Sequence, residues 1–435
     1  MSAAAGAGRG RRDAAPAPRH LYIHVPFCAE RCDYCEFHSV AVGRAGRTGG
    51  AAPAVVAAAG PTPDRERLFD RFVAALSAEW ERERERFGVR GLETVFVGGG
   101  TPSLLGRERL ERLLEPLEAL LTPRAEITVE TNPEDVTADY AAWAAARRLR
   151  VSLGVQSFDA GLRAALGRRG AADPAEAFAA LRAAGVGAPA DAAVAPARRP
   201  GAGGLGIDLI FGLPGQQVSD VETELAIVER LRPDHVSFYE LSLAPAGVLA
   251  ARVALTDAGR LGWGAPELPD DETVAMMYRR IVARLGKVGY EWYEVSNFAL
   301  PGQRCAHNSA VWRGRDYLGI GPGAVGTVAG VRQRDLPDLE GYLAAVERGA
   351  EPPREQEALS GATRARERLL LAARTGERVS LAVLAGVIDE GALPALAGAG
   401  LVSLTGGTLR VTRKGRYVAN GVCVRLFRDS SFLEA

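Results

Sequence analysis

The chain has 435 residues, with 53 basic and 53 acidic side chains and a formal net charge of zero. That length allows two or three domains, and the balance excludes the broad positive field of a nucleic-acid or membrane-surface binder. Nearly all the positive charge is arginine, with lysine only at Lys287 and Lys414, so an arginine cluster by itself carries little information.

Residues 1–19 are rich in Ala, Gly and Arg and lack the apolar centre of a secretory signal, so a disordered tail is expected. "HLYIHVPF", from His20, predicts a strand that runs straight into "CAERCDYC", which carries Cys28, Cys32 and Cys35. Residues 41–63 are low-complexity and read as a loop. Thr62 and Pro63 then read as the cap and first residue of a helix, with Phe69, Phe72, Val73, Leu76 and Trp80 on one face. "ETVFVGGG", "EITVETNP", "RVSLGVQSF", "GLGIDLIFGLPG" and "HVSFYELSL" predict five further strands. Helical stretches rich in Leu, Ala and Arg separate them, with a second low-complexity loop at 186–204.

Apolar strands alternating with helices predict a parallel sheet covered on both faces. Six such units over residues 20–260 predict an α/β fold, a partial (β/α)6 barrel. Residues 261–350 form a further region. Residues 351–435 read as helices followed by "LVSLTGGTLRVTRKG", a two-stranded wing with a Gly-Gly turn, so a winged-helix-like unit is expected. The helix before the wing, "GALPALAGAG", has no basic residue to meet a phosphate, which argues against nucleic-acid binding. Cys423 lies in an apolar run and reads as a core residue. No apolar run reaches the roughly 18–20 residues that span a bilayer. Without an export signal or an even disulfide framework, a cytoplasmic location with reduced thiols is expected.

The chemically distinctive residues fall just after the strands: Cys28 to Cys35, Gly98 to Ser103, Glu130 and Asn132, Gln156, Asp208 with Gly212, and Glu240. That is the C-terminal rim, where parallel barrels build their sites. Three thiolates at this spacing can hold a metal. Structural zinc wants a fourth protein ligand, for which His38 is the nearest candidate and His24 a second. A cubane iron–sulfur cluster on three cysteines leaves one iron open to a small ligand. Spacing alone leaves both alternatives standing.

Cys-x3-Cys-x2-Cys after the first strand of such a barrel resembles the radical S-adenosylmethionine superfamily. "LYIHVPFC", "CDYCEF", "FVGGGTPSLL", "ETNPE", "SLGVQSFD" and "IDLIFGLPGQ" resemble one branch of it, which holds oxygen-independent coproporphyrinogen III dehydrogenases (HemN) and heme chaperones (HemW). The resemblance covers roughly residues 20–425. It implies a [4Fe-4S] cluster on Cys28, Cys32 and Cys35, with S-adenosylmethionine on the open iron and an electron donor to drive its cleavage to a 5′-deoxyadenosyl radical. It implies that Gly99, Gly100 and Thr101 hold the methionine part, their small size letting the backbone approach a zwitterion. Tyr22 and Tyr34 fall where the family contacts this cofactor. Glu130, Gln156, Asp208 and Arg168 are polar groups at the same rim that a polar cofactor would satisfy; the His that usually follows Arg168 is missing here.

Within the branch, the dehydrogenases carry a fourth cysteine where this chain has Phe37, and a longer segment before the cluster. Both features side with the heme chaperones, as does "YEVSNFALPGQRCAHNSAVWRGRDYLGIGPGA". Its His307–Trp312 stretch resembles a box associated with heme binding, although Val311 stands for the usual Tyr and Val325 for a frequent His. The resemblance implies a heme chaperone with heme and a heme-acceptor protein as partners, His307 as an iron ligand and Cys305 as a second candidate. Coproporphyrinogen dehydrogenase activity and a zinc-stabilised barrel without redox chemistry remain the alternatives.

Overall fold

The computed structural model describes residues 16–36, 38–43, 63–168, 170–187, 203–243, 249–251 and 267–429. Most of the expected tail and of both low-complexity loops, Thr62, and Phe37 lie outside the described residues.

Six parallel strands form where the apolar runs predict them: β1 (His20–Val25), β2 (Leu92–Gly99), β3 (Leu121–Thr131), β4 (Arg150–Gln156), β5 (Gly204–Phe211) and β6 (His235–Glu240). Three short strands extend the sheet beyond the expected six: β7 (Glu291–Glu294), β8 (Asn297–Ala299) and β9 (Leu318–Ile320). The order is β9-β1-β2-β3-β4-β5-β6-β8-β7, with β9 parallel to β1 and β8 antiparallel to β6.

Alternation along β1 decides what faces where. Leu21, Ile23 and Val25 join the apolar core under the helices, while Tyr22 and His24 turn to the barrel interior. Helix α1 (Pro63–Phe87) carries Asp64 and Glu66 in its first turn and Arg84 and Arg86 in its last, matching the helix dipole. Its Phe69, Phe72, Val73, Leu76 and Trp80 recur at helical spacing and are all buried in that core.

Residues 361–427 build a second core of their own, which includes Cys423. Strands Val402–Thr405 and Thr408–Val411 form the expected wing, turning at Gly406 and Gly407 with φ of +55° and +68°. Strand Arg378–Ser380 adds a third, which the sequence did not suggest. Arg416 pins this unit to the sheet: its guanidinium lies 3.8 Å from the Trp292 ring centroid and donates to the Trp292 carbonyl at 3.0 Å. No helix among the described residues is long and apolar enough to cross a membrane.

Candidate functional site

The cysteine loop begins as a direct continuation of β1. Phe27 and Cys28 pair in parallel with Val40 and Ala41, which returns the loop to the barrel. The middle of the loop is tied down by the Asp33 N–H, which donates to Leu166 O at 3.0 Å, and by Tyr34, packed with Leu166, Ile210, Leu213 and Leu249. Cys28 is buried and Cys32 and Cys35 are half-buried. Burial pushes the Cys28 thiol up and the Cys32 thiol up to about 11. A buried thiolate needs a cation to compensate it, and a metal centre is what this donor set fits.

The three cysteines open onto a cavity of about 700 Å³ in the barrel mouth. Tyr34, Gly99, Gly100, Thr101, Glu130, Gln156, Arg168 and Asp208 line it with them. Tyr22 does not: its hydroxyl bonds Nδ1 of His24 at 3.0 Å and its ring packs against Phe96, one layer below. His38 is also elsewhere. Its ring lies beside Gly323 and stacks toward His24, and it does not line the cavity. Among the described residues no three His, Cys, Asp or Glu side chains gather tightly enough for one metal ion, so the Cys3His zinc arrangement is not formed.

The glycine run is closely packed on all sides. A Cβ on Gly98 would lie 2.8 Å from the Phe96 ring and 3.1 Å from the Glu130 carboxyl, on Gly99 2.7 Å from the His24 ring, and on Gly100 2.6 Å from Phe27 O. Gly99 also sits at φ +118°. Their N–H groups are spent as well: Gly99 donates to Glu130 Oε2 at 2.9 Å, Gly100 to Val25 O at 2.8 Å and Thr101 to Phe27 O at 2.7 Å. The glycines are therefore required first by the packing of β2 against β1 and the cysteine loop.

Glu130 follows from that packing, because its carboxyl fills the space over Gly98. Burial, then the nearby Asp208 carboxyl, push it up to about 8, against the pull of the Gly99 N–H. Asp208 is pushed up by burial too and accepts from Ser152 Oγ at 2.8 Å. Gln156 ends β4 at a register shift and holds φ +68°, a left-handed conformation that non-glycine residues seldom adopt. Such strain persists where surrounding structure enforces it, and here it sets a polar side chain in the cavity.

Arg168 is held by Asn132, to whose Oδ1 it donates at 2.6 Å. The Asn132 amide nitrogen donates to Thr101 Oγ1 at 3.2 Å, and that hydroxyl points at Cys28 Sγ from 3.7 Å. Gly154 makes room for this group, since a Cβ there would meet Gln156, Asn132 and Arg168. Gly154, Ser152 and Tyr239 line the cavity without having been singled out in the sequence. The signal for Gly154 was a glycine inside an otherwise apolar strand.

His307 stands at the opposite end of the barrel. It lies on α2, the Ala306–Trp312 helix, is 4% exposed, and its Nδ1 is 2.8 Å from Thr94 Oγ1, which also meets His20 Nδ1 at 2.9 Å. Burial holds its imidazole down to about 3. Glu126 fixes the helix start, accepting from the Ala306 and His307 N–H groups at 2.9 and 3.1 Å. Cys305 is 2% exposed and burial pushes its thiol up to about 12. In this arrangement both side chains are buried at the barrel floor.

Residues 22–225 match the Radical SAM superfamily. Over 410 residues, 93% of this chain and 94% of the relative, the chain is 34% identical to the heme chaperone HemW of Mycobacterium tuberculosis. The chain belongs to the HemW family within the radical SAM superfamily. It is 28% identical to HemW of Bacillus subtilis over 93% of this chain and 98% of that one. The solved structure of HemN from Escherichia coli, a coproporphyrinogen III oxidase, superposes with a TM-score of 0.71 over 94% of this chain and 90% of that chain, at 23% identity, and so shares the fold. The radical SAM family implies an iron–sulfur cluster and S-adenosylmethionine, and the cavity fits both: three thiols at its edge and a lining rich in carboxylates suited to a cationic ligand.

Proposed function

We propose that the chain is a heme chaperone, binding heme and passing it to an acceptor protein in the cytoplasm. It would hold a [4Fe-4S] cluster on Cys28, Cys32 and Cys35 with S-adenosylmethionine in the barrel mouth. The observation that carries this reading is the extent of the likeness to HemW, which runs through 93% of this chain rather than the barrel alone. Phe37, where the dehydrogenases have cysteine, favours it over coproporphyrinogen oxidation.

When bound and reduced by an electron donor, the cluster supplies an electron to the sulfonium of its ligand. The rest falls to this chain's side chains. Arg168, steadied by Asn132, is placed to receive a carboxylate. Glu130 offers an acceptor for an ammonium or a ribose hydroxyl. Gln156 and Asp208 supply further polar partners, and Tyr34 closes the outer wall.

The test is one anaerobically reconstituted preparation, titrated with heme and then given coproporphyrinogen with a reducing system. Heme should bind at one per chain and move to an apo acceptor, with no protoporphyrinogen formed. Measured turnover of coproporphyrinogen moves the assignment to the dehydrogenase.

A further inference from the structure

The barrel has a cavity at each end, and the two carry opposite charge. In the mouth, Glu30, Glu36 and Glu134, joined by Glu130, Asp208 and Glu240 as these three raised carboxyls ionise, outnumber Arg168, the one basic residue in the described lining. At the floor lies a second cavity of about 760 Å³, formed where β1, β2 and β3 begin and where α2 crosses them. Its described lining holds Arg19, Arg124, Arg304, Arg313 and Arg315 against one carboxylate, Glu93. Arginine is common throughout this chain, so five in one place mean little alone. The contrast between two cavities of similar size in one barrel means more.

Some of that floor charge is already paired. Arg19 bonds Glu93 at 2.9 Å, Arg304 bonds Glu291 at 3.0 Å and Arg313 bonds Glu377 at 2.9 Å. Arg124 and Arg315 are exposed, and among the described residues neither has a carboxylate at ion-pair distance. Between them the wall is low and partly apolar. Pro123 lines it, and so do Ala306 and Ala310, four residues apart on one face of α2. Thr122 and Ser309 add hydroxyl groups. A shallow apolar wall flanked by two uncommitted guanidinium groups suits a flat ligand that carries carboxylates, and the volume lies in the range of small-molecule sites.

The geometry points to the floor cleft as the docking site for the carboxylates of a tetrapyrrole, with Arg124 and Arg315 as their partners, while the acidic mouth takes the cationic cofactor. The inference rests on the heme-chaperone reading. A porphyrin dicarboxylate meets repulsion in the mouth and attraction at the floor. The ends lie about 20 Å apart, from an eight-residue strand rising about 3.3 Å per residue at barrel tilt. Heme held there is out of reach of a radical generated in the mouth, which suits a carrier and not an oxidase.

Three measurements on the reconstituted protein test this. First, ferric heme should bind at least about tenfold more weakly to an Arg124→Glu/Arg315→Glu variant, while S-adenosylmethionine binds it as it binds the wild type. Second, the dimethyl ester of heme should bind the wild type more weakly than the free acid, a difference that vanishes in the variant. Third, heme and S-adenosylmethionine should bind together without competing. Heme affinity unmoved by the double substitution, or displacement of S-adenosylmethionine by heme, overturns the floor site and leaves the chaperone reading standing. A wild type that binds no heme overturns that reading and this inference with it.

Discussion

Arg168 and Asn132 are joined by a 2.6 Å hydrogen bond that links the crossover after β4 to the end of β3. The same amide reaches Thr101 on the β2 side, so one asparagine ties three segments of the rim into a fixed arrangement. Asn132→Leu keeps the side-chain size and removes both bonds. S-adenosylmethionine binding should weaken by roughly ten- to a hundredfold, or about 1.4–2.8 kcal/mol, with the iron content unchanged. Calorimetry against an iron assay separates these effects. Full affinity in the variant would mean that Arg168 needs no such support.

Cluster loading should be as sensitive to Gly100 as to the cysteines. A methyl group at Gly100 would press on Phe27 O and come within 3.0 Å of Cys28 Sγ. Gly100→Ala should therefore lose most of its iron and its visible charge-transfer absorbance, as should any single Cys→Ala change at Cys28, Cys32 or Cys35. Gly286→Ala meets nothing within 4 Å and serves as the control. Iron retained by Gly100→Ala would show that the loop can give way there.

Binding of the cationic cofactor should depend on pH through Glu130. Its carboxyl, pushed up to about 8, is largely protonated at neutral pH in the free protein. A positive ligand favours the ionised form, so affinity should rise as pH rises toward 8 and level off above it. Glu130→Gln should flatten that profile and leave the iron in place. A wild-type affinity constant between pH 6 and 9 would assign the interaction to other groups.

Acid should destabilise the apo fold through histidines buried in their neutral form. Burial holds His24 down to about 4 and His307 down to about 3, and lowers His20 and His235 as well. An unfolded chain protonates these groups near 6.5, while the folded chain does not until lower pH. Their contribution is thus present above about 6.5 and lost progressively below it. His307→Gln should lower Tm at pH 7.5, since the Thr94 contact is altered, and reduce the loss of Tm between pH 6.5 and 5. An unchanged slope would show that His307 is already protonated or solvated in the folded state.

The six barrel strands were legible because each is a run of Val, Ile, Leu and Phe broken by Gly or Pro, a pattern that long-range packing reinforces. The rim residues were legible because a polar group that ends an apolar run and enters a barrel interior must find a polar partner there. Depth within the barrel was not. Tyr22 and Cys28 lie six residues apart on one continuous segment, yet only Cys28 reaches the cavity, because which layer a side chain occupies depends on register with β2. The glycine run was visible, but its packing was not: the atoms its missing methyl groups avoid belong to His24, Phe27, Phe96 and Glu130. His307 stood out by likeness alone, and nothing local in "CAHNSAVW" says that Thr94 and Glu126 draw it into the floor. Strand β9 has three residues, too few to register as a period.

That short strand sets an order of events during synthesis. Leu21, Tyr22 and Ile23 pair with Leu318, Gly319 and Ile320, so the first strand of the sheet waits for one of the last to be made. At roughly 5–20 residues per second, a ribosome needs on the order of 15–60 s to deliver it. Throughout that interval the β1 edge is open beside a cysteine loop already exposed outside the ribosome. A chain that stalls in between carries an unpaired strand beside three thiols, before the residues of the floor around His307 have been made.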